Sequence, residues 1–523
     1  MIKKTKDTYD VAIVGAGMAG LYCAWRILRH CKEIRKPSIV ILERLERVGG
    51  RLKTASLRFG SHDVVIEEGG MRFLNTHRHL NKILEELGLI QKKVKFGMGD
   101  DNNFYYIRGR RFTRQEAKDS NHEIWQEIYS LLPNEVGKSP FKIVEEAVRS
   151  IIQQQADPDD WKLESPFVWA RFRQMQYPAQ GGWPIYKWGF RALLEHLGLS
   201  NECVQMLMDT GGFTVPYEDI GGAGSGLHLI ASFPEEPDFY TLIDGYDELP
   251  RRLHEVITKL GAETRLGCTV RKLRRDDKAL LELETDGKHA NVVHASKVIL
   301  ALPAVPMSSL LREGHGIQNV KTAIRHLKQV VHMPLTKINL YFEENWWEDK
   351  FKIKNGGCFT DIPLAQVYFF QLETEQTDRK FTAITIYSDG RRANYWRQLQ
   401  ELGDDYGYHG RSELDVGGDV VRCKEIVVEH ALKQLRSMFS PAVISAPLFA
   451  TISMWGAGDM GEGDHQWAIG ADDEKIRNTL VKIDDGVFLC GEAISDNQDW
   501  VEGALRSAEH LVQANFGLEP LLR

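Results

Sequence analysis

Hydrophobic and polar positions change period several times along the chain, and each change predicts an element. Val11 to Val14 is a continuous apolar run, as in a parallel strand buried on both faces. It breaks at Gly15-Ala16-Gly17-Met18-Ala19-Gly20, and Leu21, Cys23, Ala24, Ile27 and Leu28 then recur at helical spacing. A second apolar run, Ser38 to Leu42, stops at Glu43. Asn75 stands where a helix cap would, ahead of Leu80, Ile83, Leu84 and Leu87 on one face. Phe104 to Phe112 alternates about a glycine turn and predicts a hairpin. From about Thr113 to Tyr240 the period turns helical. Val144, Val148, Ile151 and Ile152 make one apolar face there, and Ala192, Leu193, Leu194 and Leu197 contribute to another. Lys297 to Val305 reads as a buried strand stopped by proline, and Thr336 to Phe342 alternates like a half-buried one. Val487 to Cys490 is a last apolar strand before a closing helix. Strands interleaved with helices predict an α/β fold.

The first break has the spacing G-x-G-x-x-G between a strand and a helix. Gly15 permits the tight turn, Gly17 lets backbone N–H groups approach a pyrophosphate, and Gly20 lets the helix pack close to the strand. The helix N-terminus adds a partial positive charge for the phosphates. Glu43, about twenty residues further on, is placed to bind the ribose hydroxyls of an adenosine. Strand, glycines, helix, strand and terminal carboxylate in this order predict dinucleotide binding. Next, Gly49 and Gly50 beside Arg51 suit a loop that packs on the pyrophosphate, with the guanidinium bidentate to it. Gly69 and Gly70, ahead of Met71 and Arg72, again permit close backbone approach.

Length and charge narrow the class. A chain of 523 residues exceeds one compact core, so two or three domains are expected. A net charge of −7 gives no reason to expect nucleic acid or an anionic membrane as partner. The 7 cysteines are scattered without a C-x-x-C, so free thiols in a reduced cytoplasm are expected, with neither disulfides nor a metal site. Met1 to Asp7 ahead of an apolar stretch superficially resembles a signal peptide; because the stretch encodes the first strand, the segment is expected to be retained. No run reaches the ~20 apolar residues of a membrane helix, which predicts a soluble protein.

The loop E-R-x-x-R-x-G-G-R, from Glu43 and Arg44 to Gly50 and Arg51, with Gly70-Met71-Arg72 after it, resembles the flavin amine oxidases and among them the L-amino-acid oxidases. The resemblance implies a discontinuous Rossmann-type FAD-binding domain (8–74, 238–332 and 455–523), a mixed-sheet substrate domain (75–112 and 333–454) and a helical insertion (113–237). It implies FAD as cofactor, held without a covalent bond, since the loop where several relatives carry an attaching cysteine has none here. Gly15, Gly17, Met18, Ala19, Gly20, Glu43, Arg44, Gly50, Arg51, Gly70, Met71 and Arg72 would surround it. Val270 would meet the adenine by its backbone, and Gly491-Glu492 resembles the closing motif whose glutamate binds the ribitol. Trp500 would flank the ring, and a helix from about Val501 would aim its N–H groups at the flavin N1–C2=O end.

For the substrate, the resemblance gives Arg72 the carboxylate and Lys337 a reach to flavin N5 through a water. Tyr368 would add a second hydrogen bond to the carboxylate; a shift of one residue would present Phe369 instead, and both stay open. Trp467, at the end of a glycine-rich loop with Gly461 and His465, would wall an aromatic cage; His465 itself reads as polar surface or as a base. The implied reaction turns an L-amino acid and O2 into 2-oxo acid, ammonia and hydrogen peroxide, with Trp467, Trp500 and Phe73 favouring large apolar or aromatic side chains. Alternatives are a monooxygenase like tryptophan 2-monooxygenase, giving an amide and CO2, and an amine or polyamine oxidase. A non-enzymatic alternative is a chaperone resembling Rab GDP-dissociation inhibitors. Homodimers are common in the family.

Overall fold

The computed structural model describes residues 7–31, 35–158, 166–215, 220–233, 238–276, 280–289, 291–370, 382–417, 419–456 and 463–522. Two large sheets organise them. In the first, β1 (Thr8–Val14) lies between β2 (Ile39–Leu42) and the strand Asn291–Leu300, parallel to both. Val487–Leu489 runs parallel to the end of Asn291–Leu300, and Glu263–Arg265 runs parallel to β2. Cys268–Arg275 and Leu281–Gly287 extend the sheet antiparallel. The register aligns Val14, Leu42, Leu300 and Leu489 at one edge. These four strands therefore deliver their next residues, Gly15, Glu43, Ala301 and Cys490, to the same carboxyl-end crevice, where open α/β sheets bind ligands.

The helix α1 (Met18–His30) covers this sheet and packs against Val501–Phe516. Between the two helices Arg26 and Glu509 form a buried ion pair, with Nε to Oε2 at 2.7 Å and Nη2 to Oε1 at 3.0 Å. The Tyr22 hydroxyl donates to the same carboxylate. All seven cysteines are free.

The second sheet has eight strands, in the order Val421–Arg422, Phe449–Trp455, Leu335–Phe342, Thr382–Asp389, Gln366–Phe370, Gly356–Thr360, Phe104–Ile107 and Arg110–Thr113. Phe104–Ile107 and Arg110–Thr113 are the expected hairpin, turning at Arg108 and Gly109, which both have positive φ. Leu335–Phe342 departs from the expectation of a half-buried strand: all eight residues are buried. Its Ile338, Leu340 and Phe342 enter one apolar core, while Tyr341 packs with Leu57 and Phe59 of the hairpin Thr54–Phe59/His62–Glu67. With both faces covered, the polar residues need partners, and Asn339 finds them in Thr385 and Thr451.

The insertion is helical, and Val144, Val148, Ile151 and Ile152 share a core with Leu193 and Leu194. Ala192 points out of it. The helix Arg78–Glu86 also differs from expectation, because Asn75 does not cap it. The Glu502 carboxylate takes that role from the far end of the chain, accepting from the N–H groups of His79 (3.1 Å) and Leu80 (2.9 Å). Among the described residues, no helix is long and apolar enough to cross a membrane.

Removing one partner of a buried ion pair strands the other charge in a low dielectric. Glu509→Ala is therefore expected to destabilise the fold by about 3–5 kcal/mol, read from the shift of the urea unfolding midpoint.

Candidate active site

At the crevice, Gly15 has φ +103° and a Cβ there would lie 2.5 Å from the Ala301 carbonyl oxygen, so only glycine fits the turn. A Cβ on Gly17 would meet nothing within 4 Å. The first turn of α1 begins at Gly17 without a side-chain cap, so its N–H groups face open space. Such a cradle fits a pyrophosphate. Glu43 accepts from Ala16 N–H and Leu45 N–H, each at 2.8 Å, which fixes the carboxylate beside the turn. Arg47 donates to the carbonyls of Val48, Gly50 and Leu52, bracing the loop that sets Gly50 against Gly17. Arg44 is exposed. Val270 is half-buried and packs against the apolar core of the first sheet.

Arg51 bridges to the closing segment, donating to Gly463 O and Glu492 Oε2, both at 2.6 Å. Glu492 also meets His465 Nδ1 at 2.7 Å and accepts from Asp499 N–H at 2.7 Å. Burial alone would raise this carboxyl; Arg51 and His465 hold it down at about 2. Asp464 and Asp499 stand alongside, Asp464 3.7 Å from Arg51 and Asp499 accepting from Gln466. Burial raises both despite that support, and the Glu492 charge adds to the rise of each.

Beyond Arg51 opens a cavity that joins the two sheets and the insertion. Its walls include Gly69 to Arg72, Lys337, Tyr387, Trp455, Asp499, Trp500 and Val501, with Phe213, Leu229 and Phe233 from the insertion. Arg72 is 7 % exposed, and its guanidinium carbon lies 5.1–5.5 Å from the ring centres of Phe96, Phe233, Phe239 and Tyr368. Its Nη1 is buried with no hydrogen-bond partner, and no carboxylate among the described residues pairs with it. Lys337 donates to the carbonyls of Glu67 (3.2 Å) and Gly69. Burial depresses its ammonium well below the usual lysine range, against the pull of Glu67. Trp500 stacks on Phe239 at 5.9 Å. It also opens the helix Val501–Phe516, whose N-terminus has no side-chain cap and meets the cavity at Val501. That uncapped dipole suits an electron-rich ring edge.

The structure thus brings Gly70, Met71, Arg72, Arg51, Lys337, Trp500 and Val501 to one cavity, with Gly15 to Gly20, Glu43, Gly491 and Glu492 leading into it. One expected substrate residue lies elsewhere. Trp467 is buried in the core of the first sheet, its indole N–H donating to Ser495 O at 3.2 Å, because Asp464–Trp467 pairs antiparallel with Val330–Met333 and turns the ring inward. Trp455 lines the cavity instead, held by its N–H to Glu68 O at 2.7 Å. Tyr368 does face Arg72, and Phe369 turns to the opposite core. The Tyr368 hydroxyl, however, donates to Gln366 Oε1 at 2.7 Å, so only its ring serves the site. A tyrosine that does line the cavity is Tyr387, directly across the sheet from Lys337. Burial holds its phenol protonated, as a hydrogen-bond donor. His465 is buried on Glu492, so it is neither polar surface nor a free base. Gly461 lies outside the described residues.

Residues 18–514 match the sequence model of the family described as flavin containing amine oxidoreductases. Aplysianin-A of Aplysia kurodai is 24% identical, over 98% of this chain and 90% of its own. L-Amino-acid oxidases of Sistrurus catenatus edwardsii (25% identical, 76% and 69% covered) and Gloydius halys (22% identical, 97% and 88% covered) are also similar. Among solved structures, a putrescine oxidase bound to putrescine superposes with a TM-score of 0.65 at 18% identity, covering 98% of this chain and 99% of that one.

Glu492, depressed on folding, stabilises the protein above its ordinary value of 4.5 and loses that contribution as pH falls towards about 2. The stability gap between the wild type and Glu492→Gln is expected to be full at neutral pH and to close across that window, as followed by thermal melts against pH.

Proposed function

The chain belongs to the flavin containing amine oxidoreductase family, a flavin-dependent oxidase, and within it we propose that it oxidises L-amino acids to 2-oxo acids, with release of ammonia and hydrogen peroxide. One observation carries this reading: a buried arginine without an acid, facing the cavity from inside a box of four rings. A buried guanidinium is costly unless an anion meets it, and a substrate carboxylate supplies one bidentately. An amine or diamine substrate lacks that group, and the likeness to putrescine oxidase is one of fold.

The roles follow from position. The backbone from Gly15 to Gly20, Glu43 and Arg51 would hold the dinucleotide part of FAD without a covalent link, and the N-terminus at Val501 the ring. When bound there, FAD would supply the acceptor for the hydride from Cα and the route of those electrons to O2. Arg72 and the Tyr387 hydroxyl fix the carboxylate and so orient Cα–H; orientation of this kind can supply roughly 7–11 kcal/mol of barrier lowering. The apolar wall of Phe213, Leu229 and Phe233 favours a neutral substrate amine, as hydride loss requires, and suits a large apolar side chain. Lys337, kept partly neutral by burial, is placed to position the water that hydrolyses the imine.

Arg72→Ala is expected to lower kcat/KM for L-amino acids at least about a hundredfold while leaving flavin content intact. Unchanged peroxide production would overturn the carboxylate clamp. Tyr387→Phe is expected to raise KM about tenfold, whereas Tyr368→Phe, which keeps its ring beside Arg72, stays within about threefold of the wild type. Steady-state kinetics on the pair separates the two tyrosines.

A further inference from the structure

One polar side chain of the cavity lining is that of Tyr246. Tyr246 stands in the turn between the strand Phe239–Leu242 and the helix Glu248–Lys259. Its backbone is pinned: the N–H donates to Glu67 Oε1 at 2.6 Å, and Asp247 N–H donates to Thr54 Oγ1 at 3.2 Å. Its ring packs on Phe73 with centroids 5.4 Å apart, and the residue is 1 % exposed. Main chain and ring are therefore fixed, and the residue lines the cavity together with Met71, Trp500 and Val501.

The Tyr246 hydroxyl is buried and has no hydrogen-bond partner among the described residues. A buried hydroxyl left unpaired is destabilising, and phenylalanine would fill the same space without that cost. The nearest carboxylates are engaged elsewhere: Glu67 by Thr54 and the Tyr246 N–H, Glu502 by His79 and Leu80. Burial and these two acids keep the phenol protonated, so it can donate.

We propose that Tyr246 anchors the flavin, its hydroxyl donating a hydrogen bond to a flavin oxygen or ring nitrogen at the end of the cavity bounded by Val501. The inference rests on the flavin occupying this cavity. It adds a side-chain donor to the dipole of the helix Val501–Phe516, from a different element, so that ring and helix close on the cofactor from two sides.

The test is titration of flavin-stripped full-length protein with FAD, followed by flavin fluorescence, for the wild type and Tyr246→Phe, with melting temperatures of both apoproteins. The expected result is an FAD dissociation constant about tenfold higher in the variant, with the apoprotein melting at the same temperature or higher. Equal dissociation constants would overturn the proposal, as would an apoprotein melting temperature lowered by as much as that of the holoprotein, which marks a packing role. Wild-type protein that takes up no FAD would overturn the flavin reading of the cavity and this inference with it.

Discussion

A guanidinium inside a wall of aromatic rings is the constraint around which the cavity is built. Each well-placed ring offers Arg72 about 0.5–2 kcal/mol against the several kcal/mol that burying a cation costs. The rings limit the penalty and leave the hydrogen-bonding edge of the side chain unmatched. What completes the site must be an anion small enough to enter and flat enough to meet the fork. A carboxylate fits both demands.

Holding that cation in place engages most of the chain. Gly69 and Gly70 let the backbone before Arg72 lie against the Arg51–Leu52 loop; a Cβ on Gly69 would sit 1.9 Å from the Arg51 carbonyl oxygen. The same segment turns its carbonyls to Lys337 on the second sheet and the Glu68 carbonyl to Trp455. Phe213 and Phe233 arrive from the helical insertion and Trp500 from the closing helix. The Rossmann sheet meanwhile sets Gly15, Glu43 and Cys490-Gly491 on one edge, and in the proposed reading a dinucleotide laid along it would end at Trp500 and Val501. Elements far apart in sequence thus meet at the one cavity proposed to hold cofactor and carboxylate.

What was legible in the sequence was local. The turn at Gly15, the acid at Glu43, the doubled glycines before Arg51 and Arg72 and the closing Gly491-Glu492 each show their chemistry within a few residues. The errors lie where long-range register decides. Tyr387 faces Lys337 only because two strands some fifty residues apart pair in one alignment, and period-2 alternation does not supply that alignment. Tyr368 faces Arg72, but its hydroxyl donates to Gln366, two residues away on the same face of the strand. Trp467 was lost to a two-stranded pairing with Val330–Met333 that turns it into the core. Glu502 as the cap of a helix more than four hundred residues earlier leaves no local trace at all.

The central claim is that the site recognises a carboxylate. The most direct measurement compares peroxide production from an L-amino acid and from the amine that differs only in lacking that carboxylate, such as L-phenylalanine and phenethylamine. The account predicts kcat/KM at least about a hundredfold higher for the acid, the effect of leaving a buried arginine unmatched. Equal rates, or a preference for the amine, would contradict it.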